Sequence, residues 1–512
     1  MSSPTASSAT TGDADGLDRG TLAIAWVVVL GAIMAILDTT VVNVAIDHLT
    51  RDFDAPLSTI QWIVTGYMLA LATVIPLTGW AAHRFGTKRL YMLSVALFLA
   101  GSALAGTAWS AESLIGFRVL QGLGGGMIMP AGMTILTQAA GPQRIGRVMA
   151  IVGVPMLLGP ILGPILGGWL VDDVSWRWIF FINVPIGVLA LVLALRILPR
   201  DRPSATERLD AVGLVLLSPG LAALIYGLAE APEAGFGSSS ALIPIVVGAI
   251  LVALFVVHGL RRANANPLID LRLFKERSVT SAALTLVLFS TAFFGAMLLV
   301  PLYFQVARSE SAFDTGLLLA PQGLGAMIMM PLAGRLTDKI GPGKLVLVGL
   351  PVIAASMAVL TQVSATTSYW LLCADFVVMG IGMGLTMMPT MSAAYQTLRR
   401  AAVARATTAL NIIQQVGGAV GTALLSVLLS DAIADKLSAL GGGAAAAGGS
   451  ASSIPPELRA QVAPFVAEAF GSTFAWAVVL LALSIVPALL LPRMRPQPVA
   501  DEDGAEPVLV HM

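Results

Sequence analysis

The sequence predicts an all-α membrane protein of fourteen spanning helices, arranged as two six-helix bundles with two further helices inserted between them. Three observations predict it: an apolar, charge-poor composition, the placement of lysine and arginine, and an internal repeat. Of 512 residues, 57% are apolar and 11% charged, against roughly 45–50% and about 25% in soluble domains. The charges sit in short islands between apolar runs of roughly 18–25 residues, the length that crosses a hydrocarbon layer ~30 Å thick at ~1.5 Å per residue. No segment supplies the polar surface with which a soluble protein of this length would cover its several cores.

The spans fall near 22–46, 57–78, 89–108, 113–136, 145–171, 178–198, 210–229, 241–260, 280–304, 314–333, 344–363, 370–392, 404–430 and 470–491. Residues 1–21, rich in Ser, Thr, Ala and Asp and without a basic start, read as a disordered cytoplasmic tail. The organisation that follows is a bundle over 22–198, an inserted hairpin and linker over 199–279, a second bundle over 280–491 with an external loop at 431–469, and a tail over 492–512. In that loop GGGAAAAGGSASS is flexible in composition, and the apolar-periodic stretch PELRAQVAPFVAEAF that follows has two readings, a plain spacer, which is the favoured one, and an element lying on the membrane surface.

Orientation follows from Lys and Arg, which concentrate in cytoplasmic loops. With the N-terminus inside, inner loops carry Arg84, Lys88 and Arg89, then Arg261, Arg262, Arg272, Lys275 and Arg277. Outer loops carry Arg51, Arg177, Arg308, Lys436 and Arg459. An even number of spans returns the C-terminus inside, and removing one would put much of the basic charge on the wrong side.

The repeat has an offset of 255 residues: PLTGWAAHRFGTKRL (Pro76 to Leu90) aligns without gaps with PLAGRLTDKIGPGKL (Pro331 to Leu345). A weaker echo pairs GLGGGMIMP from Gly122 with GIGMGLTMMP from Gly380. Six spans need fewer residues than that spacing, so the two helices within 210–260 read as a hairpin inserted between duplicated halves.

Asp38 is the main candidate for chemistry, a carboxylate among apolar neighbours in AILDTTVVNVAI. An ionisable group in a span costs ~2.5–3.5 kcal/mol or more, and usually faces a partner charge or a water-filled cavity. A change in burial or in a nearby cation would load and unload a proton there; a permanent ion pair is the structural alternative. Asp38 lies ~12 Å from the outer end of its helix and Arg118 ~8 Å from the outer end of the fourth, a comparable depth. Asp375, in the twelfth span, is a second acid within ~8 Å of that face. Thr39, Asn43, Trp62, Tyr67, Gln121 and Gln415 are candidates for lining a solute cavity, with methionines supplying deformable walls.

The fifth span reads GVPMLLGPILGPILGGWL, where Gly159, Gly163, Gly167 and Gly168 permit close approach of a neighbouring helix and Pro160 and Pro164 introduce kinks. The two copies of the turn after the second and tenth spans, with Gly79, His83, Arg84 and Gly86 in one and Gly334, Asp338 and Gly341 in the other, read as latches whose polar contacts differ between two states; positive-inside topology accounts for the same charges. Other chemistry finds no support. The four histidines, His48, His83, His258 and His511, are dispersed, so no metal cluster forms, and no phosphate-binding loop is present. No cofactor and no enzymatic activity are expected. A net charge of zero argues against nucleic acid as a partner, and the single Cys373 excludes an internal disulfide.

With these residues the chain resembles the major facilitator superfamily, specifically the fourteen-span drug:proton antiporters of the EmrB/QacA group. LDTTVVNVAI (Leu37 to Ile46) is similar to that group's first-helix signature, RVLQGLGGG (Arg118 to Gly126) to the fourth-helix motif associated with proton transfer, and GPILGPILGG (Gly159 to Gly168) to the antiporter motif. WRWIFFINVPIG (Trp176 to Gly187) and NPLIDLRLF (Asn266 to Phe274) resemble this group rather than twelve-span relatives. One position departs: His83 stands where the family's loop carries an acid, while the second copy keeps Asp338. The resemblance implies the major facilitator fold and alternating access, with proton uptake driving export of lipophilic or amphipathic drugs from a bacterial cell through its inner membrane. The implied partners are a small-molecule substrate, protons and membrane lipid. Export of one endogenous metabolite, lipid or amino acid is the alternative.

Overall fold

The computed structural model describes residues 18–140, 144–200, 208–261, 267–396, 398, 400–438 and 456–493. Among them no strand occurs, and a helix occupies each of the fourteen expected span positions. These are α1 (Arg19–Val41), α2 (Leu57–Val74), α3 (Thr87–Gly106), α4 (Ala111–Ala140), α5 (Ile145–Asp173), α6 (Asn183–Ile197), α7 (Ala211–Ala234), α8 (Ser239–Leu260), α9 (Arg277–Leu302), α10 (Ala312–Ile340), α11 (Pro342–Leu360), α12 (Tyr369–Tyr395), α13 (Arg400–Ser438) and α14 (Pro456–Ala488). Twelve of the helices are long and apolar enough to cross a bilayer, thirteen when a bent pair beginning in α2 counts as one span; α5, with 29 residues, is the remaining position. The chain is a multi-pass membrane protein. Helices satisfy their backbone groups internally, which is what hydrocarbon requires.

Packing repeats the sequence duplication. In the first half α1 packs on α4, α5 and α6, while α4 packs on α2 and α3, and α3 on α6; in the second half α9 packs on α12, α13 and α14, while α12 packs on α10 and α11, and α11 on α14. Contacts between the halves obey the same two-fold relation. Helix α5 meets α10 and α12, and α13 meets α4 and the short helix Leu77–Phe85 that continues α2. Even the turns match: Gly86 has φ 90° and ψ 146° and Gly341 φ 90° and ψ 147°, a backbone region that only glycine adopts without strain.

Two details depart from the expected pattern. The second span is bent by 55° between Val74 and Leu77, where Pro76 removes a helical donor; its repeat partner Pro331 lies inside unbroken α10. The stretch from Pro456, read as a spacer or as an element on the membrane surface, is the beginning of the continuous 33-residue α14. The GGGAAAAGGSASS segment before it falls outside the described residues, as do residues 1–17 and the segment after 493.

The inserted hairpin α7–α8 packs through α7 against α2 of the first half and α13 of the second. Trp62 stacks on Tyr226 at 5.9 Å, and the Ser218 hydroxyl donates to the Thr73 carbonyl at 2.6 Å. Asp210 caps α7 by accepting from the Gly213 amide at 2.8 Å and meets His258 of α8 at 2.9 Å, closing the open end of the hairpin.

Candidate functional site

Glycines set the position of α4. A Cβ on Gly122 or Gly126 would come within 2.6 Å of the Tyr67 or Leu71 carbonyl of α2, and one on Gly101 of α3 within 2.6 Å of the Gln121 backbone. Real side chains do not tolerate such distances, so α2, α3 and α4 meet backbone to backbone. That contact carries Arg118 and Gln121 of α4 inward to Asp38 of α1. All three are at most 1% exposed.

The Arg118 guanidinium donates to Asp38 Oδ2 at 2.5 Å and to Gln121 Oε1 at 2.8 Å, and its Nε to the Ile63 carbonyl at 3.3 Å. Gln121 Nε2 donates to Asp38 Oδ1 at 2.7 Å, so the amide bridges both members of the ion pair. The Arg118 guanidinium carbon lies 4.0 Å from the Tyr67 ring centre, a cation–π contact that is strong when desolvated. Two residues that the sequence did not single out complete the shell. Asn183, the first residue of α6, donates to Asp38 Oδ1 and to Ser102 Oγ of α3, each at 3.1 Å, and Ser102 donates to the Phe180 carbonyl at 2.8 Å. A buried charge surrounded in this way has its partner and its hydrogen bonds, the condition under which an ion pair survives in low dielectric.

The other expected residues distribute around this centre. Thr39 returns its hydroxyl to the Ala35 carbonyl of its own helix at 3.0 Å. Trp62 is 43% exposed, on the seam with the hairpin, and Gln415 is half-buried on α13. The side chains of Asn43, Pro160 and Pro164 lie outside the described residues. Asp375 sits in the second half, buried, with Oδ2 lacking a hydrogen-bond partner, and the Ser356 hydroxyl donates to its main-chain oxygen at 3.2 Å. One turn further along α12, Met379 joins Phe293, Met297, Gln322 and Met357 around an apolar pocket of the second half.

The glycine stripe of α5 lies against α1 on both sides of Asp38: Gly159 faces Ile36, Gly163 faces Thr40 and Gly167 faces Val41, whereas nothing stands within 4 Å of a Cβ on Gly168. The stripe therefore fixes the height at which α1 presents its acid. Gly163→Ala is expected to destabilise the fold by ~1–3 kcal/mol of overpacking, while Gly168→Ala, with open space at its Cβ, changes stability by less than about 0.5 kcal/mol; thermal unfolding of the two purified variants measures the contrast.

At the end of the bundle that bears the basic turns, Arg147 in the first turn of α5 pairs with Asp338 in the last turn of α10, Nε to Oδ2 at 3.3 Å. The first-half turn meets α13 in the equivalent place, where a Cβ on Gly79 would lie 3.2 Å from Thr408 Oγ1 and 3.6 Å from Arg405 Cα. Arg405 follows Arg147 by 258 residues, the offset from Gly122 to Gly380. His83 and Arg84 of that turn are both half-buried.

The Major Facilitator Superfamily model matches residues 28–422. The multidrug resistance protein B homolog of Mycobacterium tuberculosis is 46% identical over 496 residues, covering 94% of this chain and 92% of that protein. The multidrug export protein EmrB of Haemophilus influenzae is 34% identical over 404 residues, 78% of each chain, and the lincomycin resistance protein LmrB of Listeria monocytogenes is 28% identical over 401 residues, 78% of this chain and 85% of that one. Among solved structures, the human organic anion transporter MFSD10 superposes with a TM-score of 0.57 at 15% identity, over 91% of this chain and 100% of that one. A bacterial homolog of the human lysosomal transporter Spinster gives 0.55 at 16%, over 94% and 100%.

Proposed function

The chain belongs to the major facilitator superfamily, and on that premise we propose that it is a proton-coupled antiporter that exports lipophilic or amphipathic drugs by alternating access. The observation that carries this reading is the Asp38–Arg118 pair, a single acid and a single base sealed among apolar helices in a chain whose relatives carry multidrug-export names. An ion pair is a costly way to pack helices in lipid, so its presence points to a charge that changes. Asp375 is the second acid of this scheme, and the apolar, methionine-lined pocket beside it suits solutes of varied shape.

The basic end faces the cytoplasm of a bacterial cell, in keeping with the positive-inside rule, and both termini lie there. The halves that rock are the bundles over 22–198 and 280–491. Arg147–Asp338 joins them at the cytoplasmic end, the arrangement of a state closed on that side. Protons and a small-molecule substrate are the exchanged partners, and membrane lipid is the surrounding solvent.

Reconstituted protein facing an imposed pH gradient tests the proposal. Several unrelated lipophilic compounds are expected to move against their gradients and to collapse with a protonophore. Movement of one endogenous metabolite alone would replace drug export by dedicated export, and movement indifferent to the pH gradient would remove proton coupling.

A further inference from the structure

The Asp38 carboxylate is held by donors alone: Arg118 on Oδ2, Gln121 and Asn183 on Oδ1. A proton added to this carboxylate therefore has to turn one of them into an acceptor. Arg118 offers no acceptor at all. Gln121 is fixed in orientation, because its Oε1 already receives Arg118 at 2.8 Å and turning the amide would set donor against donor. Asn183 differs, since its Oδ1 is buried without any hydrogen-bond partner while its Nδ2 serves both Asp38 and Ser102.

We propose that Asn183 is a positioning residue that follows the protonation of Asp38: its amide donates to the ionised carboxylate and turns to accept from the protonated one, exchanging its bond to Ser102 as it does. The proposal rests on the reading that Asp38 is the proton site. The added proton binds Oδ1 and becomes the donor to Asn183 Oδ1, and no covalent bond other than this O–H is formed or broken.

Ser102 biases the exchange. In the donating orientation Asn183, Ser102 and the Phe180 carbonyl form a complete chain, with links of 3.1 and 2.8 Å. The turned amide presents an oxygen to Ser102, which then either swings its hydroxyl away from Phe180 or faces a second acceptor. Each proton on α1 thereby changes the link between α6 and α3. Around Asp38, α4 contributes the charged Arg118 and α2 the titratable Tyr67, whose ring lies against the guanidinium, while α3 and α6 contribute the neutral Ser102 and Asn183.

Infrared difference spectra of the full-length protein in lipid nanodiscs, recorded across pH, test this without requiring transport. The carboxylic C=O band of Asp38 is the one lost in Asp38→Asn. Ser102→Ala removes the bias without touching Asp38 and is expected to raise the midpoint of that band by about half to one pH unit, the worth of one hydrogen bond. In an Asn183→Ala background the same Ser102→Ala change is expected to move nothing, because Ser102 acts only through the amide. An unmoved midpoint in Ser102→Ala alone, or an equal shift in both backgrounds, overturns the proposal. Absence of any band lost in Asp38→Asn overturns the underlying reading instead, and the proposal with it.

Discussion

Asp38→Asn is expected to lower solute-driven proton release from proteoliposomes by at least about a hundredfold, because an amide in place of the carboxylate has no acid proton to load and unload. The residue loses its exchangeable proton while the fold keeps most of its contacts. Arg118 retains Gln121 Oε1, the Ile63 carbonyl and the Tyr67 ring, and the asparagine oxygen can face the guanidinium where Oδ2 stood. A pH-sensitive dye inside the vesicles reads the outcome directly. Full proton release by this variant would remove Asp38 from the coupling path. Arg118→Lys is expected to fail as well, since the guanidinium reaches Asp38 and Gln121 through one nitrogen and Ile63 through another, a spread that the single nitrogen of an ammonium cannot match.

The second large effect belongs to the seam between the halves. Asp338→Ala is expected to shift the protein toward the form open at the basic end by about 5–150-fold, or ~1–3 kcal/mol, because the side chains of Arg147 and Asp338 are only 13% and 6% exposed and no water replaces the lost partner cheaply. Distances between spin labels placed on either side of the seam measure the shift, in a background where Cys373, the one native cysteine, has been replaced. Reversing the pair, Arg147→Asp with Asp338→Arg, is expected to restore much of the closed form. Unchanged label distances in Asp338→Ala would show that the pair does not hold the seam. His83, the counterpart of Asp338 in the first copy, is expected to matter less.

The elements of the fold were legible because hydrocarbon leaves few choices: long apolar runs must be helices, and their number follows from basic loops that have to face one way. Asp38 and Arg118 were legible for the same reason, since charges of opposite sign at similar depth in lipid seek each other. Their supporting shell was not. Asn183 stands in WRWIFFINVPIG, where an asparagine before Val-Pro reads as the start of a helix, and Ser102 among Gly and Ala reads as a packing residue. Only the three-dimensional convergence of α1, α3, α4 and α6 gives them an acid to serve. The bond between Arg147 and Asp338 was hidden differently, because the repeat marked the turn but did not say which helix of the other half it would touch. The Pro76 bend shows the limit of the repeat itself, as Pro331 occupies the same place in a helix that does not break.

The position of α7 has a consequence for how a solute dissolved in the bilayer reaches the protein. Under the proposed alternating access, the two bundles would part along two lengthwise clefts, one beside α2 and α13 and the other where α5 meets α10. Helix α7 lies along one of these clefts, touching α2 and α13 together, and the Trp62–Tyr226 stack and the Ser218–Thr73 bond fasten it to α2. Helix α7 thus covers that cleft. The other cleft, where α5 meets α10, is spanned at its basic end by the Arg147–Asp338 ion pair. Under the proposed alternating access, a solute entering from the bilayer is expected to favour this second cleft, and the motion that parts the ion pair would open it.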